Sequence, residues 1–468
     1  MKNQRSNWRG CKDWIDYRTP LTTTSDEACK LFDAVLTQYV GWYDESSVGG
    51  MGSSIDKMMA ADTHFVMGHV IKNGLDVLGT GRTIGLDQDF KTDIYNMEAL
   101  ALQQNVTDRE KKHVSAIKLW AEGETAMACN VWEDILMDNP LDMLALKFAH
   151  DSYFYLAYHP QMRDGIARVM PYWKSSMPLY GYLEGMHAFG LEETNMYDLA
   201  EKAARRGLDF NRHDAWSTHA MAHVLEMGGR QKEGIQFMSS TETDWNVCGM
   251  LACHNYWHYA LYNIEKGNYS DAVGIYDTQV GPLAKKSGAM LDMVDACSLL
   301  YRLQLEGVKV GERYNDIQEI CRQHLDDHVL AFNDAHFMMS CLGTGDKVAT
   351  QKLLDSLRNF VKDGKGYNCK ITKEVGLALC EALVYYDEGN YSNAVDLVSP
   401  LRYQIIKIGG SHAQRDIFNQ FLIHCALKSE KDVHKKLARQ LLTERKCLKE
   451  NSPLTDRLLA KAMAQHAG

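Results

Sequence analysis

The sequence predicts an all-α protein assembled from a recurring pair of antiparallel helices. Apolar residues return with the three-to-four-residue spacing of a helix face, as in 26–43, 141–158 and 431–450, and few stretches alternate with period two. Only eight prolines interrupt the chain. A register of small residues also repeats: Ala, then Gly or Asn seven residues on, then Ala or Gly five further. It reads Ala116, Gly123, Ala128; Ala188, Asn195, Ala200; Ala222, Gly229, Gly234; Ala260, Gly267, Ala272; and Ala382, Gly389, Ala394. Small residues let two helices cross closely, and the Gly or Asn between them takes the left-handed conformation that ends the first helix. Ala222 is therefore expected to face Gly234, and Ala260 to face Ala272.

Weaker copies at Pro160 and Gly345 complete the series, with turns near 123, 160, 195, 229, 267, 345 and 389. Most spacings are 34 to 38 residues, and the long interval from 267 to 345 holds a further pair around 291–327 with an insertion at 306–312. The stretch "EGETAMACNVWEDILMDNP" sets Trp132 four residues after Ala128 and closes on Pro140. "EKGNYSDAVGIY" and "DEGNYSNAVDLV" share a Gly-Asn-Tyr turn. These positions resemble the tetratricopeptide repeat (TPR), in degenerate form because the motif's early Trp is mostly missing. The reading is a TPR-like superhelix over 107–428, a helical N-terminal cap over 1–106 and a helical C-terminal cap over 429–468.

Longer segments carry a second likeness: "PLTTTSDEACKLFDAVLTQYVGW", "DMLALKFAHDSYFYL", "GMLACHNYWHYALYNIEKG", "MLDMVDACSLLYRLQLEGV", "FNDAHF" and "GGSHAQRDIFNQFLIH". Nearly end to end, the chain resembles the tetratricopeptide repeat protein 38 family. That resemblance implies a helical solenoid and no assigned activity.

Composition narrows the partners. The chain is 45% hydrophobic and 24% charged, enough for a large core, and its formal net charge is −10. Without a Lys/Arg-rich run, neither nucleic acid nor an anionic membrane is an expected partner. The first thirty residues lack the apolar core of a signal peptide. No apolar stretch nears the ~20 residues a membrane helix needs, and Gly468 is no prenylation site. Twelve scattered cysteines without a CxxC read as buried apolar residues of a reducing compartment, so the expected location is cytoplasmic.

In a TPR array the first helix of each pair lines the concave face. Counting back from the turns puts those helices at about 109–122, 146–159, 181–194, 215–228, 253–266, 290–303 and 375–388. They carry His113, His150 and Asp151, His187, His219, His223 and Glu226, His254 and His258, then Asp292 and Asp295. Asn333, Asp334 and His336, and then Arg415 and Asp416, follow. His219, His223 and Glu226 share one helical face, and His254 and His258 repeat the four-residue spacing on the next first helix. His258 lies about 100° off the groove-facing stripe at 100° per residue. Four imidazoles and a carboxylate form a ligand set for zinc, iron or another first-row divalent metal. The set lacks the glutamate of HExxH.

The plainer reading makes these groove-lining or structural histidines. It makes Asp292 and Asp295 solvated groove acids, Asn333 and Asp334 helix-start caps, and Arg415 with Asp416 a buried ion pair or an anion anchor. GxGxxG, GxxxxGK[ST] and GxSxG are absent, as is the Lys/Asn/Arg set with which some TPR co-chaperones grip acidic tails. Two functions follow. The first is a scaffold holding a peptide or protein segment in a His/Asp-rich concave groove. The second is an enzyme, or a protein binding a small molecule or metal, with its site on that same face.

Overall fold

The computed structural model describes residue 5 and residues 7–464, and among them no β-strand occurs. The helices, in order, are α1 (Cys11–Asp16), α2 (Asp26–Gly41), α3 (Gly50–Ala61), α4 (Val66–Leu78), α5 (Gln88–Gln103), α6 (Asp108–Ala121), α7 (Thr125–Asp138), α8 (Met143–Leu156), α9 (His159–Val169), α10 (Tyr180–Glu192), α11 (Tyr197–Phe210), α12 (Ala215–Met227), α13 (Gln231–Ser240) and α14 (Glu242–Trp245). They continue with α15 (Gly249–Lys266), α16 (Tyr269–Ile275), α17 (Gly281–Ser287), α18 (Met290–Leu305), α19 (Tyr314–Cys321), α20 (Ala331–Gly343), α21 (Lys347–Asp363), α22 (Gly366–Ile371), α23 (Leu377–Asp387), α24 (Tyr391–Val398), α25 (His412–Lys428), α26 (Asp432–Leu448) and α27 (Pro453–Ala464). None is long and apolar enough to cross a membrane.

Local chemistry sets the helix ends. Thr107 with Glu110, and Ser411 with Gln414, make reciprocal capping boxes at the starts of α6 and α25. Asp142 and Asp346 cap α8 and α21 by accepting from the third backbone N–H. Between paired helices Gly123, Asn195, Gly229, Gly267, Gly345 and Gly389 all have positive φ. Near residue 160 the left-handed residue is Ala157, and Pro160 stands in the first turn of α9, where its missing N–H costs nothing.

The chain divides into two compact units, Met1–Met221 with Glu242–Ala252, and Ala222–Thr241 with Cys253–Gly468. In the first, α6 packs on α7, α7 on α8, α8 on α9, and α10 on both α9 and α11. In the second, α18 packs on α20, α20 on α23, α23 on α24, and α25 on both α24 and α26. There α25 also packs back against α18.

Burial separates the two helices of a pair. α7 buries one face, Ala128, Cys129, Trp132, Ile135 and Leu136, and exposes Met127 and Met137. α8, α18, α20 and α25 are buried on nearly every face, as interior helices are. This corrects the expectation of an open groove. His150, His219, His223, Glu226, His258, Asp292, Asp295, Asn333, Asp334, His336 and Arg415 are all buried. In the second unit the physical cause is visible. Arg302 of α18 donates to the carbonyls of Ala413 and Gln414, and Tyr301 and His336 meet Phe421 and Phe418 of α25.

At Gly234, expected to face Ala222, the space left by the missing side chain is taken by a ring of α15. A β-carbon on Gly234 would stand 2.4 Å from Cζ of Tyr262, so the gap serves that ring. The Tyr262 hydroxyl donates to the Ala222 carbonyl.

Candidate functional site

In the second unit, α12 supplies His223 and Glu226, α15 supplies His254 and His258, and α18 supplies Asp292, Asp295 and Arg302. The four-residue spacing stacks His254 above His258 on one face of α15, and their ring centroids lie 4.7 Å apart. The ring of His223 is 4.3 Å from that of His258 and 6.3 Å from that of His254. One ring nitrogen from each of these three residues lies within 4.8 Å of the others. Trp257 stacks on His254 at 5.1 Å and closes one side of the cluster.

Carboxylates orient two of the rings. Nδ1 of His254 is 2.6 Å from Oδ2 of Asp295, and Nδ1 of His258 is 2.9 Å from Oε2 of Glu226. The other oxygen of Asp295 accepts from Nε2 of Gln414 on α25 at 3.1 Å. An Nδ1–H donated to a carboxylate leaves Nε2 with its lone pair, the form in which imidazole binds a metal.

Burial governs the charges. It holds His223 well below its usual pKa, reinforced by His258 and His254. It does the same to His258, reinforced by His254. It also pushes Glu226 up to about 7 and Asp292 up to about 6. Near neutral pH His223 and His258 are therefore uncharged imidazoles, whose protonated forms would lose hydration and repel one another. Asp292 accepts from the Ser287 hydroxyl at 2.6 Å. Asp292 and Asp295 are thus interior carboxylates, where the sequence suggested solvated acids.

Most of the remaining sequence candidates lie apart from this centre. His219 is one turn before His223 on α12, in the first-unit part of that helix, with its ring against Phe189 and Trp216. His150 bonds the Met186 carbonyl and meets Trp216 edge-on. Asp151 pairs with Lys147 and accepts from Tyr39. His187 is partly buried on α10, and burial lowers its pKa. Asn333 and Asp334 lie inside α20, which starts after Leu330 without a side-chain cap, so they are not its caps. Asp334 pairs with His328 at 3.1 Å, and Nδ1 of His336 donates to the Phe332 carbonyl. Arg415 donates to the carbonyls of Gly409 and Gly410, and Asp416 pairs instead with Arg445. Burial opposes ionisation of Asp416, but Arg445 and Arg302 hold its carboxyl below the usual range.

Sequence reasoning passed over Lys147, Arg302 and Gln414. The two cations do carry a signal: each stands alone in an otherwise apolar helical run, "MLALKFA" and "SLLYRLQL". A cation there must find a buried partner. For Gln414 no signal exists, because its partner is 119 residues away.

The fold and site together define a class: an all-α protein of packed helix pairs with a buried histidine–carboxylate centre in its second unit. No family model matches the chain. Among solved structures, it is similar to the APC/C hetero-tetramer Cut9–Hcn1 at 11% identity and a TM-score of 0.40, over 93% of this chain and 84% of that one. It is similar to the human IFIT1 dimer with m7Gppp-AAAA at 14% and 0.34, over 95% and 96%. Yeast Tom70 gives 12% and 0.29, over 97% and 92%. At these values none of them assigns a ligand to this chain.

Proposed function

We propose that the second unit binds a first-row divalent metal ion, zinc above all, through His223, His254 and His258, with Asp295 and Glu226 orienting the rings. The observation that supports this reading is the pair of carboxylate-bonded imidazoles, His254 on Asp295 and His258 on Glu226, beside the ring of His223. Buried histidines that only fill space have no need of a shared focus. Ligand bonds of about 2.0–2.1 Å bring tetrahedral nitrogens within about 3.4 Å of each other. Small ring rotations from the present spacing would therefore close the site. His219, one turn earlier on α12, belonged to the ligand set expected from sequence. The polar interior suits a metal or another small ligand better than an extended peptide, because α25 already covers the inner face of α18.

Metal analysis of the chain purified without a histidine tag tests this. About one equivalent of metal per chain is expected, before or after zinc reconstitution. Asp295→Asn should weaken the affinity about 10–100-fold, as loss of an orienting partner does. A His254→Gln/His258→Gln variant that folds and still retains full metal would overturn the reading.

A second reading is a scaffold for a protein or peptide partner. Its support is on the outer helices, where Met127 and Met137 of α7 and Leu199 and Phe210 of α11 are exposed. Met137→Glu with Leu199→Glu should abolish capture of such a partner, and a partner retained by the double variant would remove that face from consideration.

A further inference from the structure

We propose that Cys11 and Cys29 form a peroxide-sensitive dithiol, which on oxidation staples the segment ahead of α2 onto α2. The two Sγ atoms lie 3.3 Å apart. Cys11 opens α1 and is partly exposed, whereas Cys29 is buried in α2. A peroxide therefore reaches Cys11 first and Cys29 only through it.

The surrounding contacts hold the two sulfurs together. The Cys11 backbone N–H donates to Asp26 of α2 at 2.9 Å, and Arg9 donates to Asp33 of α2 from its backbone and its guanidinium. The Arg9 guanidinium lies 3.8 Å over the ring of Trp14, which packs edge-on against Phe32. The segment is thus pinned on both sides of Cys11, and closing to a disulfide length of about 2.05 Å is a side-chain adjustment.

In the first step the Cys11 thiolate attacks one oxygen of hydrogen peroxide. The O–O bond breaks, the sulfur is oxidised to a sulfenic acid, and the leaving hydroxide takes a proton to become water. In the second step the Cys29 sulfur attacks the Cys11 sulfur. The S–OH bond breaks, the S–S bond forms, and hydroxide leaves as water with the Cys29 proton. Two thiols and one peroxide give one disulfide and two waters, and an added dithiol reverses the change. Such a transient pair fits a reducing compartment, where lasting disulfides are rare.

The test uses the full reduced chain treated with hydrogen peroxide and digested without reductant. The expected result is a cross-linked peptide joining Cys11 to Cys29, loss of two hydrogens from the chain mass, and restoration by dithiothreitol. Amide exchange over residues 11–25 should slow on oxidation. In Cys29→Ser, Cys11 should instead be trapped as a sulfenic acid by dimedone, with circular dichroism confirming the fold. Oxidation of Cys11 in the unsubstituted chain to sulfinic or sulfonic acid without the cross-link would overturn the proposal. So would a Cys11 that stays reduced while the exposed Cys447 is oxidised.

Discussion

Lys147 has no exposed surface, yet its ammonium must be satisfied. It lies 2.6 Å from Oδ1 of Asp151 and 4.4, 4.9 and 4.7 Å from the rings of Tyr39, Trp42 and Trp216. Burial pulls its pKa down and the carboxylate pulls it back up. Replacing the cation alone would strand a buried carboxylate. Lys147→Met is expected to cost about 3–5 kcal/mol in urea unfolding. Lys147→Met/Asp151→Asn should recover much of that, and a single variant as stable as the parent would show that the pair is not structural. Asp214 is the opposite case, since burial pushes its carboxyl up to about 7 against the bonds from Ser217 and Trp216. An ordinary aspartate titrates near ~3.9. Between these values the folded chain holds a proton that the unfolded chain has released. This contribution is therefore complete below the unfolded pKa and is lost as pH rises through about 7. Asp214→Asn should flatten the fall in melting temperature from about pH 4 to about 7. A variant that loses stability as steeply as the parent would assign the fall to another group.

Helix crossings follow the same logic at the scale of elements. Alanine is the better helix former than glycine by about 0.8–1 kcal/mol, so Gly→Ala should stabilise wherever there is room. At Gly274 in α16 an added β-carbon meets nothing within 4 Å. At Gly234 in α13 it would meet the Tyr262 ring, whose hydroxyl is tied to Ala222. Overpacking of this kind costs about 1–3 kcal/mol. Gly274→Ala should therefore raise the melting temperature and Gly234→Ala should lower it. Equal shifts would show that the Tyr262 ring yields. Both glycines lie in helical sequence, and their difference is invisible until α15 is in place. The histidine centre was partly legible for the same reason. Its four-residue spacing on α15 is local, whereas the pairing of His254 with Asp295 joins helices 41 residues apart in sequence. His258, counted off the groove-facing stripe, is in the cluster because it bonds Glu226 of α12.

For the molecule as a whole, the last helices are structural members of the second unit. Glu265 accepts from Lys449, Ser452 and the Leu454 backbone, and Glu306 accepts from Arg457. Ending the chain after residue 428 would strand these carboxylates along with Asp416. The shortened chain is expected to unfold at lower urea concentration and to be cleaved by protease within residues 253–428. An unfolding curve matching that of the full chain would make α26 and α27 a dispensable cap. By itself, the sequence determined the all-α class and the left-handed residues between paired helices, because spacing, capping and left-handed glycines act over a few neighbouring residues. Only the tertiary structure decided that the polar first helices of the second unit are interior. A helix face meets solvent or protein according to what distant chain covers it, and here Arg302 of α18 meets α25 across 111 residues.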